Sequence, residues 1–142
     1  MFSFYDVVSD SKCILQFYQY EIGGVFFGFV SAEDKAQLIN EATLLIAAPE
    51  KKEHFGIIYA EALAGGTPCV AYEGGGVASI VTPMEGILTD RNPKALGEKI
   101  RFLLQNWGQR KQMGISGRDR AEKRYDYHVL VKELVEWLEK VM

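Results

Sequence analysis

Residues 44–72 read LLIAAPEKKEHFGIIYAEALAGGTPCVAY. Leu44-Leu45-Ile46-Ala47-Ala48 is a continuous apolar run closed by Pro49. A strand with no polar face must be covered on both sides, as in a parallel sheet. Ile57 to Ala64 reads as a helix, and Gly65-Gly66 supplies its stop. Pro68 to Tyr72 is a second buried strand. A strand, a loop, a helix and a strand in this order form the repeating unit of a parallel α/β fold.

The same alternation extends outward. Val25-Phe26-Phe27 reads as a short buried strand. Ser31, three residues before Asp34, is a candidate N-cap for a helix from about Ala32 to Ala42. Downstream, Val77 to Val81 reads as a short helix and Gly86-Ile87-Leu88 as a short strand. Asn92-Pro93 places a capping residue before a proline at the first helical position. Leu96, Ile100, Leu103, Leu104 and Trp107 then recur at helical spacing. A last helix is expected from Tyr127 to Val141, with Leu130, Leu134, Trp137, Leu138 and Val141 on one face and Val131 and Val135 widening it. In the first 24 residues, Phe4 to Val8 and Cys13 to Tyr18 read as the strands of an irregular hairpin turning at Ser9 to Lys12. The predicted fold is α/β, a Rossmann-like parallel sheet with flanking helices, in a single domain spanning residues 1–142.

With 142 residues, 48% hydrophobic and 25% charged, the chain has the make-up of a soluble globular domain. No stretch approaches the roughly 20 apolar residues that span a bilayer. The start, Met1 to Asp6, lacks the basic flank and apolar run of a signal peptide. Cys13 and Cys69 have no metal or redox spacing, so a reduced, cytoplasmic chain is expected, with a disulfide as the alternative. Residues 1–90 hold 4 Lys/Arg against 12 Asp/Glu, and residues 91–142 hold 12 against 7. The basic excess is densest from Arg110 to Arg124. It could face anionic lipid or nucleic acid, but no aromatic or motif support accompanies it, so it reads as a solvated helix surface; no nucleic acid is expected as a partner, and any membrane association would be peripheral.

Chemistry concentrates between Glu53 and Pro68. Open parallel sheets bind ligands outside the carboxyl ends of their strands. A helix beginning there, near Gly56 or Ile57, offers unpaired N–H groups and a positive dipole end, which suit a diphosphate. Gly56 lets the backbone approach a ligand closely. Glu53 just before the helix and Glu61 about one turn into it are carboxylates able to accept from paired hydroxyls, as on a hexose or a ribose.

Glu53 and Glu61, with seven residues between, match the Glu-x7-Glu motif, and Phe55-Gly56-Ile57 and Glu61-Ala62-Leu63-Ala64-Gly65-Gly66-Thr67-Pro68 flank it in order. Gly74-Gly75-Gly76 follows. In these strings the chain resembles the C-terminal, nucleotide-sugar-binding half of retaining GT-B glycosyltransferases of family 4, also called group 1, from about Val25 to Glu139. The resemblance implies that Glu53, Phe55 and Gly56 contact the donor sugar, Gly56 and Ile57 the phosphates, and Glu61 the ribose. Val30 would lie beside the nucleobase. It implies a UDP- or GDP-linked sugar as substrate, no cofactor and no metal. It assigns no catalytic side chain to this stretch, since acceptor binding belongs to an N-terminal Rossmann domain in the family.

Three departures from the family pattern stand out. Ala78-Ser79 replaces the usual Pro-Glu pair, the Arg and Lys that clamp the diphosphate have no counterpart, and neither does the acceptor domain. The strand that should open the domain, in the middle of the sheet, is also missing, which leaves a gap flanked by Val25-Phe26-Phe27 and Leu44 to Ala48. Either the N-terminal segment or another chain is expected to fill it. Two functions follow. One is a donor-binding part of a hexosyltransferase that needs an N-terminal domain, a partner or self-association. The other is a stand-alone degenerate module that binds nucleotide or protein without catalysis.

Overall fold

The computed structural model describes residues 3–4, 14–15, 28–49 and 55–142. Its elements are β1 (Ser3–Phe4), β2 (Ile14–Leu15), β3 (Gly28–Phe29), α1 (Ala32–Glu41), β4 (Leu45–Ala47), α2 (Ile57–Ala64), β5 (Cys69–Tyr72), α3 (Val77–Ile80), β6 (Gly86–Thr89), α4 (Pro93–Gln105), α5 (Trp107–Arg124) and α6 (Tyr127–Val141). Four strands form a parallel sheet in the order β1-β4-β5-β6. The α/β expectation holds.

The period of two along each strand divides the core. Leu45, Ala47, Cys69 and Ala71 face one side, where they pack with Ile58, Tyr59, Ala62 and Leu63 of α2. Leu44, Ile46 and Val70 face the other, with Leu96 and Leu103 of α4 and Met113 of α5. All three residues of β4 are buried, which is why the sequence there has no polar alternation.

The helix starts follow their local caps. The Ser31 hydroxyl accepts from the Asp34 amide at 3.0 Å, and the Asn92 side chain accepts from the Lys94 amide at 2.9 Å. At the end of α2 it is Gly66, at φ 70°, that takes the left-handed conformation, while Gly65 remains helical. The Gly66 and Thr67 amides bond back to the Leu63 and Ala62 carbonyls. The Thr67 hydroxyl also donates to the Ile39 carbonyl at 2.6 Å and so ties the end of α1 to this turn.

The N-terminal region departs from expectation. In their described residues the two strands of the predicted hairpin do not pair with each other. Ser3 and Phe4 lie parallel to Leu45 and Ile46, and Ile14 and Leu15 lie antiparallel to Phe29 and Gly28 in a separate two-stranded sheet. Thus β1 fills the position beside β4, where unpaired backbone groups would otherwise face outward. The predicted strand Val25–Phe27 lies outside the described residues, and the adjoining β3 belongs to the small antiparallel sheet. Trp107 also differs. The Asn106 amide closes α4 on Leu103, α5 begins at Trp107, and the indole is exposed with Lys111 Nζ 5.1 Å from its ring.

The basic stretch of α5 is more than a solvated surface. Arg110 donates to the carbonyls of Leu103 and Leu104, Arg118 to that of Ala64, and Arg120 to that of Ser79. These carbonyls lie in the last turns of α4, α2 and α3, where partial negative charge collects and intrahelical donors run out. Among the described residues, no helix is long and apolar enough to cross a membrane.

Candidate functional site

The neighbouring parallel strands β4 and β5 end on the same edge of the sheet. The chain leaving β4 returns at Gly56 to begin α2, and the chain leaving β5 passes through Gly74-Gly75-Gly76 to begin α3. Gly56 is buried and has φ 78° and ψ 69°, a left-handed conformation in which a Cβ would crowd the carbonyl. Its carbonyl accepts from the Tyr59 amide at 3.0 Å, closing the first turn. Among the described residues, no side chain caps α2 at Gly56. Phe55 and Ile57 on either side are exposed apolar residues.

Glu61 lies on the flank of α2 that faces α1. Its Oε1 accepts from Lys35 Nζ at 2.6 Å, and the two side chains are 33% and 25% exposed. Half-screening from water raises the worth of the pair above that of a surface ion pair. A cleft of about 330 Å³ lies against it, lined by Lys35, Ile39 and Asn40 of α1, Glu61 and Gly65 of α2 and its cap, and Arg118 of α5. Val30 is half-buried between β3 and the Ser31 cap, at the entrance to the helix that carries Lys35.

The structure therefore groups Phe55, Gly56, Ile57 and Glu61 on one short helix and its approach. Val30 stands two residues before α1, the helix whose Lys35 pairs with Glu61. Glu53 and His54 lie outside the described residues. Lys35 escaped the sequence reading: it is 26 residues from Glu61, and no local pattern links the two. Buried Cys69 sits behind the site in β5, with its thiol within 3.8 Å of the Thr67 carbonyl.

Residues 9–120 match the sequence profile of glycosyl transferases group 1. The chain belongs to this family. An uncharacterised glycosyltransferase of Methanocaldococcus jannaschii is 30% identical over 113 residues, which cover 78% of this chain and 29% of that protein. The human alpha-1,3/1,6-mannosyltransferase ALG2 is 26% identical over 82% of this chain and 28% of its own length. Sucrose-phosphate synthase from Thermosynechococcus elongatus superimposes with a TM-score of 0.75 at 25% identity, covering 82% of this chain and 30% of that one. Anabaena HepE, in a crystal structure with UDP-glucose, superimposes with a TM-score of 0.72 at 25% identity, covering 81% and 32%. The group 1 domain thus spans under a third of the length of these relatives. Its parallel sheet with flanking helices is the Rossmann-like arrangement expected of half a GT-B enzyme.

Proposed function

We propose that this group 1 domain binds the donor of a retaining hexosyltransferase, an NDP-sugar linked to UDP or GDP. The reading rests on the start of α2. A buried, left-handed Gly56, which has no side chain to cap the helix itself, opens α2 at the carboxyl edge of the sheet, and a carboxylate stands little more than one turn in. HepE, of similar fold, is described in complex with UDP-glucose. In this reading the diphosphate lies against the amides of Gly56 and Ile57, where the helix dipole offsets its charge. Glu61 accepts from the ribose hydroxyls, Val30 borders the base, and Glu53, with Phe55 and Gly56, holds the sugar. An acceptor-binding domain or partner completes the enzyme, because transfer needs both substrates held in reactive geometry. A free, buried Cys69 suits the reducing cytoplasm.

Calorimetric titration of the 142-residue chain with UDP-glucose and GDP-mannose tests this. Millimolar or tighter binding of one of them is expected, without transfer of the sugar by this chain alone. Glu61→Ala should weaken binding by about 1–3 kcal/mol, the loss of hydrogen bonds to a charged acceptor. Equal affinity of wild type and variant would refute the role of Glu61. Failure of every nucleotide sugar to bind would favour the degenerate module, a reading that the missing Arg/Lys clamp otherwise supports.

A further inference from the structure

We propose that Lys35 is a positioning residue for the nucleotide ribose, acting through Glu61. The inference rests on the donor-binding reading and extends it to a residue on a different helix. Lys35 is held before any ligand arrives. Ser31 caps α1, the Lys35 amide donates to the Ser31 carbonyl at 3.0 Å, and buried Ile39 anchors the same helix one turn later. From that fixed helix the ammonium reaches across to Glu61 Oε1. Ala32 and Ala36, the neighbours of Lys35 along the cleft, bring no competing polar side chain.

The division of the carboxylate is the chemical point. An ionised glutamate has about four lone-pair directions on two oxygens. Lys35 takes Oε1, and among the described residues Oε2 has no hydrogen-bond partner. A vicinal diol needs an acceptor that stays in place while both hydroxyls settle. A free glutamate must lose rotamer freedom to provide one. The ammonium meets that requirement in advance and keeps the carboxylate oriented. Lys35 need not touch the ligand, and its influence should appear only when ribose hydroxyls are present.

The test compares UDP with 2′,3′-dideoxy-UDP, or GDP with its dideoxy form if guanine binds better, on the 142-residue chain. Wild type is expected to prefer the ribose nucleotide roughly tenfold. Lys35→Met, with Lys35→Gln as a second variant should the first fold poorly, should cut that preference to about threefold or less while leaving dideoxy affinity unchanged. Lys35→Arg should restore the preference, since it keeps a donor of the same charge. A Lys35 that merely fastens α1 to α2 would lower the melting temperature and weaken both nucleotides equally, and an unchanged ratio in Lys35→Met overturns the proposal. If wild type itself shows no ribose preference, the donor-binding role of Glu61 falls first and this inference with it.

Discussion

Gly114 of α5 packs against the carbonyl of Gly66, the left-handed residue that ends α2, so closely that a methyl group on Gly114 would overlap the oxygen. The backbones of two helical elements meet here without a side chain between them. Arg118, one turn further along α5, donates to the Ala64 carbonyl at the same helix end. The contact fixes the C-terminus of the helix whose N-terminus forms the candidate site.

Gly114→Ala is therefore expected to destabilise the chain by about 1–3 kcal/mol, the usual effect of forcing a methyl into packed backbone. Gly108 is the control, because nothing lies within 4 Å of a Cβ there and it occupies an exposed helical position. Gly108→Ala should stabilise by up to about 1 kcal/mol. Urea unfolding of both variants checks the contrast, and equal shifts would refute the tight contact.

Gly56→Ala should lower stability by about 1–2 kcal/mol, because an L-residue at φ 78° pays the left-handed penalty. It should also weaken nucleotide-sugar binding, since the added methyl sits where the backbone is to meet the ligand. Thermal unfolding with and without UDP-glucose separates the two effects. Full stability in the variant would mean that α2 starts in a different backbone conformation.

Cys69 links stability to alkaline pH. Burial, and secondarily the charge of Glu85, raises its thiol well above the ordinary value of 9.0. In the unfolded chain the thiol ionises near 9.0, while the folded one stays protonated. The stabilising contribution is complete below 9.0 and is lost as pH rises above it, at about 1.4 kcal/mol per pH unit. Melting temperatures from pH 7 to 10.5 should thus fall faster for wild type than for Cys69→Ala. Parallel curves would show that the folded thiol titrates normally.

Helix α6 leaves an apolar face uncovered by the described residues. Leu130, Val131, Leu134, Val135, Trp137, Leu138 and Val141 are all exposed, and the helix contains no buried residue. Exposed apolar patches of this size are characteristic of interaction sites. In a solution of the purified 142-residue chain a second copy can supply that cover, and concentration-dependent dimerisation is expected. Light scattering should show mass rising with concentration for wild type and a monomer for Leu134→Glu. A wild-type monomer at every concentration would mean that the face is covered within the chain.

Most helix ends were legible residue by residue, although the break at Asn106 between α4 and α5 was not. Ser31, Asn92 and the Gly65-Gly66 pair mark ends through hydrogen bonds that span only a few residues, and α2 and α6 run between the residues expected of them. The apolar runs of β4 and β5 likewise announce strands covered on both faces. Most of the candidate site was legible for the same reason, since Phe55, Gly56, Ile57 and Glu61 are neighbours in the chain. Partnership between distant segments was not. The gap beside β4 announced that the N-terminal segment or another chain must fill it, but nothing local singles out Ser3-Phe4 for that place, and nothing in Lys35 or Arg118 points to Glu61 or Ala64. The apolar stripe of α6 shows that the helix needs cover without showing whether this chain supplies it. Capping and periodicity act over one or two turns and are written into adjacent residues. Strand pairing, ion pairs between helices and the burial of a face depend on which surfaces meet once the whole chain has closed on its core, and that is a property of the packed structure.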